Sequence, residues 1–182
     1  MYNRNQDAQA GKQAEELVLQ MHDIIHEQTR SAESRRDVCN PTEQLPSDLP
    51  VKEIEGYDYI GYLTLPSLDL ELPVMSEWDY TRLELAPCRQ FGSSRTDDLV
   101  IAAHNGPNHF GLLFQLTPGD RIYFTDFDGL KNRYEVVNQM ALAPTEVAAV
   151  QNSGYDLVLY TCSYSAQNRV TVFCNRLQFS EK

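Results

Sequence analysis

DLVLYTCSYSAQNRVTVFCNR, residues 156 to 176, holds two strands and the turn between them. An apolar run ends at Thr161-Cys162, a polar stretch follows, and Arg169 opens a second run expected to reach Phe179. Val, Leu, Tyr and Phe bounded by Ser, Asn and Gln suit a pleated, half-buried surface. A cysteine at a strand's end stands at the rim of the sheet while the ladder holds its backbone. An arginine heading the returning strand lies near the same rim. Arginine is no realistic base, but its five N–H donors suit a developing oxyanion.

Outward from this hairpin the chain keeps the same character. Strand-like runs fall at Tyr59–Leu65, Leu70–Val74, Leu83–Leu85, Leu99–His104, Arg121–Thr125 and Arg133–Leu142, parted by Gly, Pro, Asn and Asp. Phe110–Gln115 and Thr145–Gln151 read as helical turns, and Asp128-Gly129 as a hairpin turn. Short strands with short turns favour a closed or sandwiched antiparallel architecture over βαβ units.

Upstream the pattern differs. Ala14, Leu17, Val18, Met21, Ile24 and Ile25 recur at helical steps within a segment from Asn5 to Arg30, a helix expected to dock one apolar stripe. From Ser31 to Gly56 the apolar period fails, and Pro41, Pro46 and Pro50 mark a linker or wrapped loop. Two parts are therefore expected: helix and linker over residues 1–56, and a β-domain over 57–182.

The whole chain has 182 residues, with 15 Lys+Arg against 26 Asp+Glu and a net charge of −11. Such an acidic balance argues against a nucleic-acid partner, because phosphate contacts need clustered Lys and Arg. The longest apolar stretch, Leu99 to Ala103, is far short of the roughly 20 residues that span a bilayer. No signal peptide is visible.

Four cysteines, Cys39, Cys88, Cys162 and Cys174, show no CxxC pair and no zinc-site spacing. Cys39 and Cys88 could bridge, but free thiols are the favoured reading. FTDFDGLKNRYE, from Phe124 to Glu135, mimics a calcium loop at several positions. Its first residue offers no oxygen, and strands flank it, so it reads as a hairpin. His22 and His26 form an i, i+4 pair with no further partner pattern, and His109 has none either. Trp78 reads as packing.

His104 ends the run LVIAAH and precedes Asn105-Gly106. A thiolate nucleophile needs a proton carrier for its leaving amine, and one imidazole serves both partners. Cys162, His104 and Arg169, all at strand ends, form a nucleophile, acid/base and oxyanion set. Each taken alone is equally readable as a buried or edge residue.

Together these segments resemble the sortases, surface-protein transpeptidases of Gram-positive bacteria. Tyr160-Thr161-Cys162 is similar to the end of the family's Thr-Leu-x-Thr-Cys strand, and Arg169-Val-Thr-Val to its last strand. Ala103-His104-Asn105 is similar to a segment that often reads Gly-His-Asn in class B members. IGYLTLPSLDLELPV (60–74) and HFGLLFQLTPGDRIYFTD (109–126) resemble the first barrel strands and the stretch after the histidine.

The resemblance implies a mainly β, eight-stranded sortase-type barrel with an N-terminal helix and short connecting helices, class B-like. It implies catalysis by Cys162, His104 and Arg169, with Asn105 and Thr161 contacting substrate and Arg176 as the alternative arginine. Cys174, an odd step from Arg169, should face away from the site. The expected substrate is a sorting signal such as Leu-Pro-x-Thr-Gly or Asn-Pro-x-Thr-x, and the acceptor is an amine of peptidoglycan or a pilin. No cofactor or metal is called for, and a monomer is expected. The expected location is the outer face of the cell membrane, the chain being a truncated ectodomain whose N-terminal anchor is missing. A secreted cysteine peptidase and a non-catalytic extracellular β-domain are the rival readings.

Overall fold

The computed structural model describes residues 4–35, 46–162 and 168–178. Helix α1 (Arg4–Arg35) is followed by strands β1 (Lys52–Ile54), β2 (Tyr57–Leu65) and β3 (Leu70–Met75). Helix α2 (Tyr80–Leu83) leads to β4 (Cys88–Phe91), β5 (Leu99–His104), β6 (Arg121–Asp126) and β7 (Lys131–Leu142). Helix α3 (Val147–Gln151) precedes β8 (Leu157–Cys162) and β9 (Arg169–Arg176).

The strands join in the order β1-β2-β3-β4-β5-β8-β9-β7-β6, and β2 also pairs β6. That last pairing closes β2 to β9 into the expected eight-stranded barrel, while β1 adds three residues along one edge of β2. Closure leaves few open edges to recruit other strands. The interior is filled by alternate residues of the strands, among them Ile60, Leu63, Ile101, Phe124, Val136, Leu159 and Val172. A second apolar layer lies on the outside, where Met21 of α1, Leu83 of α2 and Val150 of α3 join Val100, Val158, Tyr160 and Phe173.

Both β3–β4 and β5–β8 run parallel, so the barrel is mixed and not antiparallel as the strand spacing suggested. Short turns give no sign of this, because a parallel pair is decided by a distant crossover. Here the β6–β7 hairpin and α3 provide it. The strand expected at Leu83–Leu85 is instead the last residue of α2 and the turn after it, the helix being capped by Asp79 accepting the Arg82 N–H at 2.8 Å. The strand itself lies at Cys88–Phe91.

Met21, Val18 and Ala14 of α1 are buried, while Leu17, Ile24 and Ile25 pack at the margins of the same stripe. The linker wraps: Leu49 is in the barrel core, Ser47 C=O accepts the Ser93 hydroxyl, and Pro46 C=O accepts from Arg95. Cys39 lies outside the described residues. Cys88 and Cys174 are buried free thiols, and Cys174 sits in the barrel interior, opposite to the face carrying Arg169. Burial pushes the Cys88 thiol up to about 12. Among the described residues no helix is long and apolar enough to cross a membrane.

Gly61 is the tightest point of the barrel. At φ 140° its backbone carries β2 past a bulge, from pairing β1 to pairing β6. A Cβ there would lie 2.0 Å from the Thr125 carbonyl oxygen. Gly61→Ala is expected to cost at least about 2 kcal/mol, read as a lower denaturation midpoint at unchanged slope.

The calcium-like loop is a hairpin held by a buried ion pair. Asp126 is fully buried; its Oδ1 accepts the Asp128 and Leu130 N–H groups, both at 3.0 Å. Its Oδ2 meets Arg95 Nη2 at 3.0 Å, and Asp128 bonds the same guanidinium.

Candidate active site

β5 and β8 are buried on both faces, as expected of adjacent parallel strands in a barrel wall. Their register is continuous from Leu99↔Leu157 to His104↔Cys162. Because the pair is parallel, both strands end together, which an antiparallel pair would prevent. β9 then runs back along β8, with Tyr160 opposite Thr171. Continued by two residues, that register sets Arg169 beside position 162. Positions 104, 162 and 169 thus lie side by side on neighbouring strands.

Alternation puts them on one face as well. Ile101, Ala103, Leu157, Leu159, Val172 and Cys174 point into the barrel. Val100, Ala102, Val158, Tyr160 and Phe173 belong to the outer layer. Positions 104, 162 and 169 share the outer set's parity. The Arg169 side chain agrees, its Cζ lying 5.4 Å from the centre of the Tyr160 ring. The side chain of Cys162 lies outside the described set; its backbone position is what the ladder fixes.

His104 is half-buried, and the loop that follows curls back on it. The Phe110 N–H donates to His104 C=O at 3.1 Å, and the Gly111 N–H to Gly106 C=O at 2.8 Å. A Cβ on Gly111 would fall 2.6 Å from that Gly106 oxygen, so only glycine allows the curl. The curl brings the buried His109 edge-on to His104, ring centres 6.3 Å apart at 89°. A 104/109 spacing matches no periodic element, so this neighbour is not legible from the residues alone.

The other expected residues separate. Asn105 is exposed at the bend just after His104, beside the site. Thr161 is buried with the barrel interior's parity, and its hydroxyl accepts the Val170 N–H at 3.1 Å. It splices the fraying end of the β8–β9 ladder and does not share the face of His104 and Arg169. Thr161→Val keeps the shape but removes the acceptor, and is expected to cost about 1–2 kcal/mol in chemical denaturation. Arg176 is at the far end of β9, roughly 23 Å along the strand from Arg169. There it bonds Asp97 and Asn132, at 2.6 and 2.7 Å, together with the Ser94 carbonyl. It is a fastener for the opposite rim, not a second site arginine.

His22 sits apart, on α1, its Nε2 3.5 Å from Glu71 and its ring over Tyr62. No three His, Cys, Asp or Glu groups converge on a metal position among the described residues. Trp78 is 38% exposed and meets Tyr80 edge-on, a surface contact and not core packing.

The sortase-domain family profile matches residues 63–177, from inside β2 to just past β9. The chain belongs to the sortase family. Sortases are cysteine transpeptidases that anchor surface proteins. Among solved structures, sortase C of Streptococcus pneumoniae superposes with a TM-score of 0.63 at 21% identity, covering 90% of this chain and 97% of its own. Sortase C1 of Streptococcus suis gives 0.57 at 26% identity over 66% of this chain and 74% of its own. Sortase A of Listeria monocytogenes gives 0.59 at 21% over 66% and 88%. These neighbours are class C and sortase A, so the class B leaning drawn from Ala103-His104-Asn105 is replaced by sortase membership without that subclass. No curated protein matches the sequence.

Proposed function

We propose that this sortase cleaves a C-terminal sorting signal through a thioacyl bond on Cys162 and passes the acyl group to an amine. The observation that carries the reading is the parallel register His104↔Cys162, with the β8–β9 register, extended from Tyr160↔Thr171, setting Arg169 beside it. The Cys162 thiolate adds to the scissile carbonyl, and the tetrahedral oxyanion takes N–H donors from Arg169. His104 gives its proton to the departing amine as the carbonyl reforms. It then removes a proton from the incoming amine, a cell-wall peptide or a pilin lysine, whose attack expels the thiolate. Asn105, exposed beside His104, contacts the substrate backbone. Thr161 supports the same end from behind. The reaction takes place at the outer face of the cell membrane, with the barrel at 57–182 as the catalytic unit.

Incubation with a sorting-signal peptide, with and without an added amine, tests this reading. Transfer to the amine should exceed hydrolysis; hydrolysis indifferent to amine would identify a peptidase instead. Arg169→Ala is expected to lower kcat/KM by about 10²-fold or more, consistent with loss of an oxyanion donor. Full activity in that variant would show that Arg169 serves no step.

A further inference from the structure

We infer that Gln90 is a positioning residue that holds the Arg169 guanidinium for the reaction, an inference resting on the role proposed for Arg169. Arg169 is anchored at its backbone, opposite Leu142 on β7, but its side chain is held chiefly by the face of Tyr160. Its Nε is buried without an acceptor. A buried guanidinium N–H without a partner is unusual and calls for one. Gln90 supplies the complement: its Oε1 is buried without a donor.

Both groups line one cavity, together with Leu142, Glu146, Val150 and Tyr160. The space is only about 10 Å³, too small for a peptide unit and about right for one water-sized group. The substrate backbone therefore does not reach this pocket. Beyond a single water, an acceptor for the Arg169 Nε–H comes from the side chains around it, and Gln90 offers one. Glu146, at the exposed side of the cavity, turns its Oε2 to the Ala143 N–H at 2.7 Å, whereas the Gln90 oxygen is buried with no donor.

The backbone explains why Gln90 faces this way. β4 pairs Arg89 with Ile101 and then Phe91 with Val100, so Gln90 is the extra residue of a bulge. Cys88 belongs to the outer layer, so alternation along β4 puts Gln90 on that same outer face, and the bulge brings Phe91 onto it as well. The amide carbonyl of β4 thus shares a face with an arginine of β9, with β5 and β8 between them. Rotation of the Gln90 carboxamide closes Oε1 on the Nε–H. That bond fixes the plane of the guanidinium and leaves its terminal N–H groups for the Cys162 end of β8.

Two readouts test the inference. In the free protein, the ¹H–¹⁵N resonance of Arg169 Nε, assigned by its loss in Arg169→Lys, should shift in Gln90→Leu and persist in Gln90→Glu, which keeps an acceptor. In turnover, Gln90→Leu should lower kcat by about tenfold with KM nearly unchanged, Gln90→Glu should restore most of it, and Gln90→Leu should have no further effect on Arg169→Ala. Gln90→Met replaces Gln90→Leu if the latter does not fold. An unmoved Nε resonance, or an equal loss from Gln90→Leu with and without Arg169, would overturn the inference. A fully active Arg169→Ala would instead sink the role of Arg169 while leaving the resonance test of the contact intact.

Discussion

Cys162→Ala is expected to fold as the parent does and to lose transfer of a sorting peptide by at least about 10⁴-fold. The size of the loss follows from the role proposed for the sulfur. Without it no thioacyl bond forms, and the two-step route collapses into direct attack of an amine on an unactivated amide. His104 and Arg169 retain their places, since β5 and β9 are fixed by their own ladders. They have no intermediate to act upon. His104→Ala is expected to fall by about 10³-fold, because proton delivery to the leaving amine is lost while the thiol remains. The two losses should not add: His104→Ala on top of Cys162→Ala should change nothing further. Release of the C-terminal fragment, followed by chromatography alongside a thermal melt, measures all three variants.

Arg95→Met is expected to destabilise the fold by about 3 kcal/mol at neutral pH. That corresponds to a melting temperature lower by roughly 6–12 °C for a chain of this size. The Arg95 side chain is 7% exposed and that of Asp126 is 0% exposed. Methionine keeps much of the volume and leaves a buried carboxylate oxygen with no cation. Asp128 is half-exposed and recovers its loss from water; Asp126 has no such recourse.

The pH dependence of this variant carries a definite sign. Burial already raises the Asp126 carboxyl above its ordinary value, against the opposing pull of Arg95. Removing Arg95 raises it further. A carboxyl whose folded pKa exceeds its unfolded one binds more protons when folded, so stability falls as pH rises between the two. The gap between Arg95→Met and the parent should therefore widen from about pH 4 toward neutrality and narrow on acidification. A gap that grew in acid would mean that Arg95 and Asp126 are not the coupled pair.

Parts of this molecule could be read directly from the sequence because the local pattern and the tertiary role agree. Leu99–His104 was bounded correctly at both ends: an apolar run lies between Asp98 and Asn105-Gly106, and the barrel buries both its faces. The Asp128-Gly129 turn was equally legible, since Gly129 takes the positive φ of 78° that the turn requires. β4 is hidden because Leu83 and Leu85 mimic a strand, while the Asp79 cap that makes the segment up to Leu83 helical acts through one side-chain bond.

The direction of β5 against β8 was not legible at all. It depends on the crossover between them, yet it is what brings His104 to Cys162. Strand ends and the family resemblance point to the three candidate residues; the ladder gives their adjacency. His109 and Gln90 stayed hidden for different reasons. One is turned by a glycine curl, which leaves no periodic trace; the other lies on β4, whose short polar run gives little strand signal.

The most direct test of the central claim is peptide mapping by mass spectrometry after a sorting-signal peptide is incubated without an amine and quenched in acid. The acyl part of the substrate should be found on the fragment containing Cys162, should be absent from those containing Cys39, Cys88 and Cys174, and should disappear when an amine is added before the quench. An adduct on any other cysteine, or peptide cleavage that persists in Cys162→Ala, would contradict it.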